Sequence, residues 1–240
     1  MKDKTYIFSL FLLAFFLQNV YAQIAKEDFK KVNDAYRNTM NLSMDVTYKL
    51  YESYKSTTPK DILTGSFKKQ DNNILSNLLK IETMQNTKYK IIVDAANKIL
   101  VVADPQHYMN NAITVDIDSV LAFCSSVDYR ETGQKLKVYK LNFDNIFFEY
   151  NSIEIFINKY TYFLDKLTLY FRDAVSIDKN DPDSPKEKPR LEIAYSSVNK
   201  DPKFGKNLFS EKKYIDINDG KFTCSALYKN YQLINQKLIK

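Results

Sequence analysis

Asn41-Leu42-Ser43-Met44-Asp45-Val46-Thr47-Tyr48-Lys49-Leu50 alternates apolar and polar residues. Leu42, Met44, Val46 and Tyr48, continued by Leu50, form a row on one side of an extended chain, the two-residue period of a strand buried on one face. Just upstream the spacing is different. Ile24, Ala25, Phe29, Val32, Ala35, Tyr36 and Met40 recur at steps of three and four with charged residues between them, which predicts an amphipathic helix ahead of the strand. Short β-leaning runs follow at Leu63 to Lys69, Asn73 to Met84, Tyr89 to Asp94 and Ile99 to Ala103, separated by turn-forming clusters such as Asp71-Asn72-Asn73 and Ala95-Ala96-Asn97. With 41–50 they make five adjacent strands, and no long helix separates them. That order predicts an antiparallel meander and argues against a parallel α/β sheet.

Asp116 to Val127 reads as a second helix, with Asp116 or Asp118 as its cap and Val120, Leu121 and Cys124 on one side. A second series of strands is expected near Lys135 to Phe143, Ile146 to Tyr150, Ser152 to Ile157, Tyr162 to Ala174, Arg190 to Val198, Tyr214 to Ile217 and Lys221 to Asn230. Asn218-Asp219-Gly220 is a hairpin signal, because glycine readily supplies the positive φ such a turn requires. Asp178 to Pro189 is rich in proline and charge, has no apolar anchor, and reads as a mobile surface loop.

The amino end carries an address. Lys2, Asp3 and Lys4 precede an uncharged run whose centre, Ile7 to Leu17, is almost purely apolar. About 20 apolar residues are needed to cross a bilayer, so this run is short for an anchor and fits a cleavable signal peptide. Val20-Tyr21-Ala22 places small residues at the positions signal peptidase reads. The expectation is export, cleavage after Ala22, residues 1–22 as the signal peptide and 23–240 as one domain without a stable transmembrane anchor.

Inventory excludes most chemistry. The chain has one histidine, His107, and only four glycines, Gly65, Gly133, Gly205 and Gly220, too far apart to write a nucleotide-binding or nucleophile-elbow motif. No C-x-x-C and no second histidine offer a zinc site. The segment 178–183 opens like a calcium loop but has Pro182 at the fifth position and Asp183 where glycine is needed. The reading is therefore no catalytic residue, no metal, no cofactor: a protein that is not an enzyme. The net charge of +6 is spread over scattered lysines such as Lys30-Lys31 and Lys212-Lys213. No basic stripe suggests nucleic acid. Cys124 and Cys224 would meet an oxidising compartment after export and form either one disulfide or two buried free thiols. The chain has no tryptophan but carries 18 Tyr and 16 Phe. Most of these suit core packing, and the rest suit an apolar concave face.

Five stretches resemble a known family: Leu63-Thr64-Gly65-Ser66-Phe67, Lys88 to Asp94, Lys98 to Pro105, Ile153 to Ile157 and Lys166 to Phe171. With the opening helix and the helical insertion between two strand series, they are similar to the periplasmic lipoprotein carriers of the LolA and LolB kind. The resemblance implies a mostly β, α+β fold, a strongly curved antiparallel sheet forming an unclosed half-barrel with helices covering its concave face. It implies a periplasmic carrier of a Gram-negative cell envelope, holding a lipid or lipoprotein acyl chain in the hollow. Phe143, Phe147, Ile155, Ile157, Leu167, Leu169 and Phe171 are the expected lining. The rival expectation is an accessory subunit of a cell-envelope or secretion assembly, docking other envelope proteins through Lys221 to Lys240. On that reading, deleting the segment spares folding.

Overall fold

The computed structural model describes residues 22–106, 117–176 and 184–237. The export segment, His107, the Asp116 cap and the calcium-like run 178–183 lie outside those residues. Helix α1 occupies 22–38 and α2 is Ile117–Ala122. The strands are β1 Asn41–Tyr51, β2 Asp61–Gln70, β3 Asn73–Leu78, β4 Ile81–Gln85, β5 Lys90–Asp94, β6 Ile99–Ala103, β7 Ser126–Thr132, β8 Leu136–Asn142, β9 Tyr150–Asn158, β10 Leu164–Phe171, β11 Val175–Ser176, β12 Lys186–Glu187, β13 Arg190–Asn199, β14 Ile215–Asn218, β15 Lys221–Cys224 and β16 Gln232–Asn235. Twelve of them join in the order β16-β6-β5-β4-β3-β2-β1-β13-β10-β9-β8-β7, with β11-β12 and β14-β15 as separate ribbons. The order has two ends, so the sheet is not closed into a barrel, and the fold is mostly β with few helices, as expected. Contacts divide the chain into two compact units: Met1–Asn38, Tyr48–Ile62 and Asn110–Ala194 in the first, Thr39–Thr47, Leu63–Met109 and Tyr195–Lys240 in the second.

In the first unit α1 lies on β8 to β10. Its buried stripe is Ala25, Phe29, Val32 and Tyr36, each 5% exposed or less, one residue per helical turn as the spacing predicts. Met40, past the helix end, is exposed instead. The Phe29 ring meets Tyr139 at 5.2 Å and Tyr36 meets Phe163 edge-on at 4.8 Å. Burying Phe29 and Val32 stabilises this contact by about 1.5–3 kcal/mol each. Asp28 interrupts the stripe with a charge, 2% exposed. It accepts hydrogen bonds from Lys137 Nζ at 2.6 Å, from the Tyr139 hydroxyl at 2.6 Å and, more weakly, from Lys31 Nζ at 3.4 Å. A buried carboxylate is tolerated only when so satisfied, so α1 can seat in one register on the sheet.

Two expected elements change here. The helix expected over Asp116 to Val127 stops at Ala122, where Phe123 N and Cys124 N bond back three residues to Val120 O and Leu121 O, a tightening that closes a helix end. The chain then enters β7, in which Val127 and Tyr129 turn inward between Asp128 and Arg130. Nor is Ile146 to Tyr150 a strand. Asn145 accepts from Phe147 N through its side chain and from Phe148 N through its carbonyl, making a turn that outweighs the β propensity of Ile146-Phe147-Phe148.

In the second unit the run Asn73 to Met84, expected as one strand, is two. They are joined by Leu79-Lys80, which have φ of 52° and 67°. Positive φ at both central residues is the hairpin geometry that matches strand twist. Neither residue is of the usual turn type, which is why the hairpin escapes a reading by composition. The hairpin read at Asn218-Asp219-Gly220 does form, with positive φ at Asp219 and Gly220 between β14 and β15. The core packs Met84, Ile91, Val93, Leu100 and Val102 of the sheet against Tyr214, Ile215 and Tyr228. The described part of the 221–240 segment, the expected docking element, builds part of this core. β15 closes the ribbon, Tyr228 is buried, and β16 pairs parallel to β6 from Gln232↔Ile99 to Asn235↔Val102. Deletion would uncover the β6 edge and the core together, so the expectation that it would spare folding is corrected.

Candidate ligand-binding site

The register of the first unit sets a row of apolar and aromatic residues on the sheet face that α1 touches. Tyr139 and Leu141 of β8 stand opposite Ile155 and Ile153 of β9. Ile155, Ile153 and Ile157 stand opposite Leu167, Leu169 and Leu164 of β10, and Leu167 and Leu169 stand opposite Ile193 and Leu191 of β13. Burial falls along this face. Tyr139 and Ile157 are 0% exposed where Phe29 packs, and Ile155 is 8% exposed. Ile153, Leu167, Leu169, Leu191 and Ile193 are only half-buried. Hydrogen bonds and ring contacts seat α1 at the Tyr139 and Leu164 end, where burial is highest.

Along β10 the row continues to Phe171, past a register shift at Tyr170/Phe171, and along β13 it leads back to Pro189. Both residues line an open groove of about 580 Å³, with Leu50, Tyr51 and Val175 completing its apolar walls and Glu52, Lys60, Glu149, Asp173 and Ser176 its polar groups. That volume lies within the range of small-molecule sites. The groove is braced from behind. The Tyr54 hydroxyl donates to Phe171 O, and Arg172 donates to the carbonyls of Phe143, Phe148 and Tyr150. Arg190 stacks over the Tyr51 ring at 4.0 Å and pairs with Glu192 at 3.2 Å.

Of the seven residues expected to line a cavity, Ile155, Ile157, Leu167 and Leu169 share the α1-side face and Phe171 lines the groove. Phe143 is 2% exposed, its ring 4.2 Å from Phe148, and packs core. Phe147 is 92% exposed at the tip of the Asn145 turn. Leu50, Tyr51, Val175 and Pro189 were missed. Leu50 was visible in the alternating row of β1, whereas Val175 and Pro189 are brought to the groove only by the β11-β12 ribbon and the start of β13.

Cys124 and Cys224 are free thiols, donating to Val120 O and Tyr231 O. Burial pushes the Cys124 thiol up to about 11 and raises that of Cys224. Among the described residues no three His, Cys, Asp or Glu side chains converge as metal ligands, and no described helix is long and apolar enough to cross a membrane.

The sequence matches no family model and no curated protein. Among solved structures the chain is similar to an uncharacterized conserved protein from Thermus thermophilus, at 10% identity and TM-score 0.46, covering 88% of this chain and 99% of that one. It is similar to a LolA superfamily protein from Nitrosomonas europaea, at 8% identity and TM-score 0.31, covering 78% and 97%. A third is a putative outer membrane lipoprotein-sorting protein domain from Vibrio parahaemolyticus, at 11% identity and TM-score 0.34, covering 81% and 97%.

Proposed function

We propose that the chain is a non-enzymatic carrier, exported to the periplasm with cleavage after Ala22, which holds the acyl chain of a lipid or lipoprotein on the apolar face of its first unit. The observation that carries the proposal is the fall in burial along one face, from Tyr139 and Ile157 at 0% exposed to the half-buried Leu167, Leu169, Leu191 and Ile193. A sheet face built only for stability would be covered along its length, since each uncovered leucine forgoes part of the about 1.5–3 kcal/mol its burial offers. Here the uncovered end leads to Phe171 and a groove of about 580 Å³. An alkyl chain laid along that path would supply the missing apolar contact. Lipid extraction and native mass spectrometry of the protein purified from the periplasm test this. Copurifying alkyl lipid, lost in Leu169→Glu, is the expected result. Lipid-free protein that also fails to take up a fluorescent alkyl probe would overturn it.

A further inference from the structure

The groove beside Phe171 has polar groups of unequal sign. Among the described residues that line it, Glu52, Glu149 and Asp173 supply three carboxylates and Lys60 one cation. Lys60 Nζ is already paired with Glu52 at 2.7 Å. The two arginines next in the chain to lining residues are turned onto protein groups. Arg172 holds the carbonyls of Phe143, Phe148 and Tyr150. Arg190 is held by Glu192, the Tyr51 ring and Tyr54 O. Glu149, which also accepts a hydrogen bond from the Tyr150 hydroxyl, and Asp173 are exposed carboxylates beside apolar walls.

We infer that the ligand of this groove is a cationic amphiphile, its apolar body lying on Leu50, Tyr51, Phe171, Val175 and Pro189 and its ammonium group meeting Glu149 and Asp173. The inference rests on the reading that the groove takes an alkyl chain, and it adds the sign of the headgroup. An anionic headgroup, such as a fatty-acid carboxylate, would face two like charges, with Lys60 and Arg190 paired to carboxylates and the Arg172 guanidinium turned onto backbone carbonyls. The chain as a whole is basic, at +6, and its long-range field repels cations. That field is screened beyond about 8 Å in physiological salt, so the local carboxylates decide the preference.

The test uses the mature protein purified from the periplasm and stripped of lipid. Isothermal titration compares dodecyltrimethylammonium, dodecanoate and uncharged dodecyl maltoside, each below its micellar concentration. Exposed ion pairs contribute about 0.2–1 kcal/mol each, so two carboxylates should favour the cation over dodecanoate by about two- to thirtyfold. In the double variant Glu149→Gln, Asp173→Asn that preference should vanish while dodecyl maltoside binds as before. Val175→Lys, at a side chain already 51% exposed, should weaken the cation and strengthen dodecanoate, tying the effect to this groove. Equal binding of cation and anion, or a preference that survives the double variant, overturns the inference alone. Failure of all three amphiphiles to bind overturns the alkyl-site reading, and the inference with it.

Discussion

Asp28 shows how one residue can decide a register. It sits between Ala25 and Phe29 on the stripe of α1 that the sheet buries. Burial works to raise its pKa, but the hydrogen bonds from Lys137 and Tyr139 outweigh that, and the carboxyl titrates below its ordinary value. A carboxyl depressed in the folded state stabilises the fold fully above its unfolded pKa, near 3.9. The contribution is lost as pH falls through the lower folded value. Asp28→Asn, which keeps the shape and removes the charge, should cost about 2–3 kcal/mol at neutral pH, since hydrogen bonds to charged groups contribute about 1.5–3 kcal/mol. Urea midpoints of wild type and variant should converge as pH drops below about 4. A gap that stays constant into strong acid would show that the carboxylate charge is not what holds the helix. Tyr139 is the other side of the same contact. Burial first, and then the hydrogen bond to the Asp28 carboxylate, drive its phenol far above its ordinary value, so it remains a donor at any physiological pH.

Among the elements, β16 has the most consequence for its size. Four residues pair parallel to β6, and Leu233 packs against the core that holds Leu100, Tyr214 and Tyr228. Without it, β6 would present a row of unpaired backbone groups, a template for self-association. Ending the chain after Tyr231 should lower the midpoint of thermal unfolding and raise light scattering well before unfolding. A truncated chain that stays monomeric with an unchanged midpoint would show that β6 needs no cover. The hairpin at Leu79-Lys80 teaches the opposite lesson about legibility. Its pairing, from Ile74↔Gln85 to Leu78↔Ile81, is selected by the burial of Ile74 and Met84. That gain outweighs left-handed backbone costing about 1–2 kcal/mol per residue, so composition alone hid the turn.

At the scale of the whole molecule, the cysteines belong to different units, Cys124 to the first and Cys224 to the second. Both are half-buried free thiols with raised pKa. In the native protein at pH 8 Ellman's reagent should react slowly, and in denaturant without reductant it should count two thiols per chain. A count of zero there would mean that they are bonded. The helix read at 24–40, which ends at 38, the alternation of 41–50 and most of the two strand series, though neither Ile146 to Tyr150 nor the part of 221–230 beyond Cys224, were legible because periodicity is a local property, written in the spacing of Phe29, Val32 and Tyr36 or of Leu42, Met44 and Val46. The apolar faces of β9, β10 and β13 were legible in the same way, which is why Ile155, Ile157, Leu167 and Leu169 fall together. What no spacing could tell was which of those faces stays uncovered. Phe143 and Phe147 look alike as residues, yet a turn around Asn145 buries one and presents the other. Phe171 borders a groove only because Pro189 and Val175 come back to meet it. By itself, the sequence determined which side of each strand is apolar. Tertiary structure alone decided where that side is left open, because covering depends on contacts between segments far apart in the chain, and those are set by how the whole fold closes.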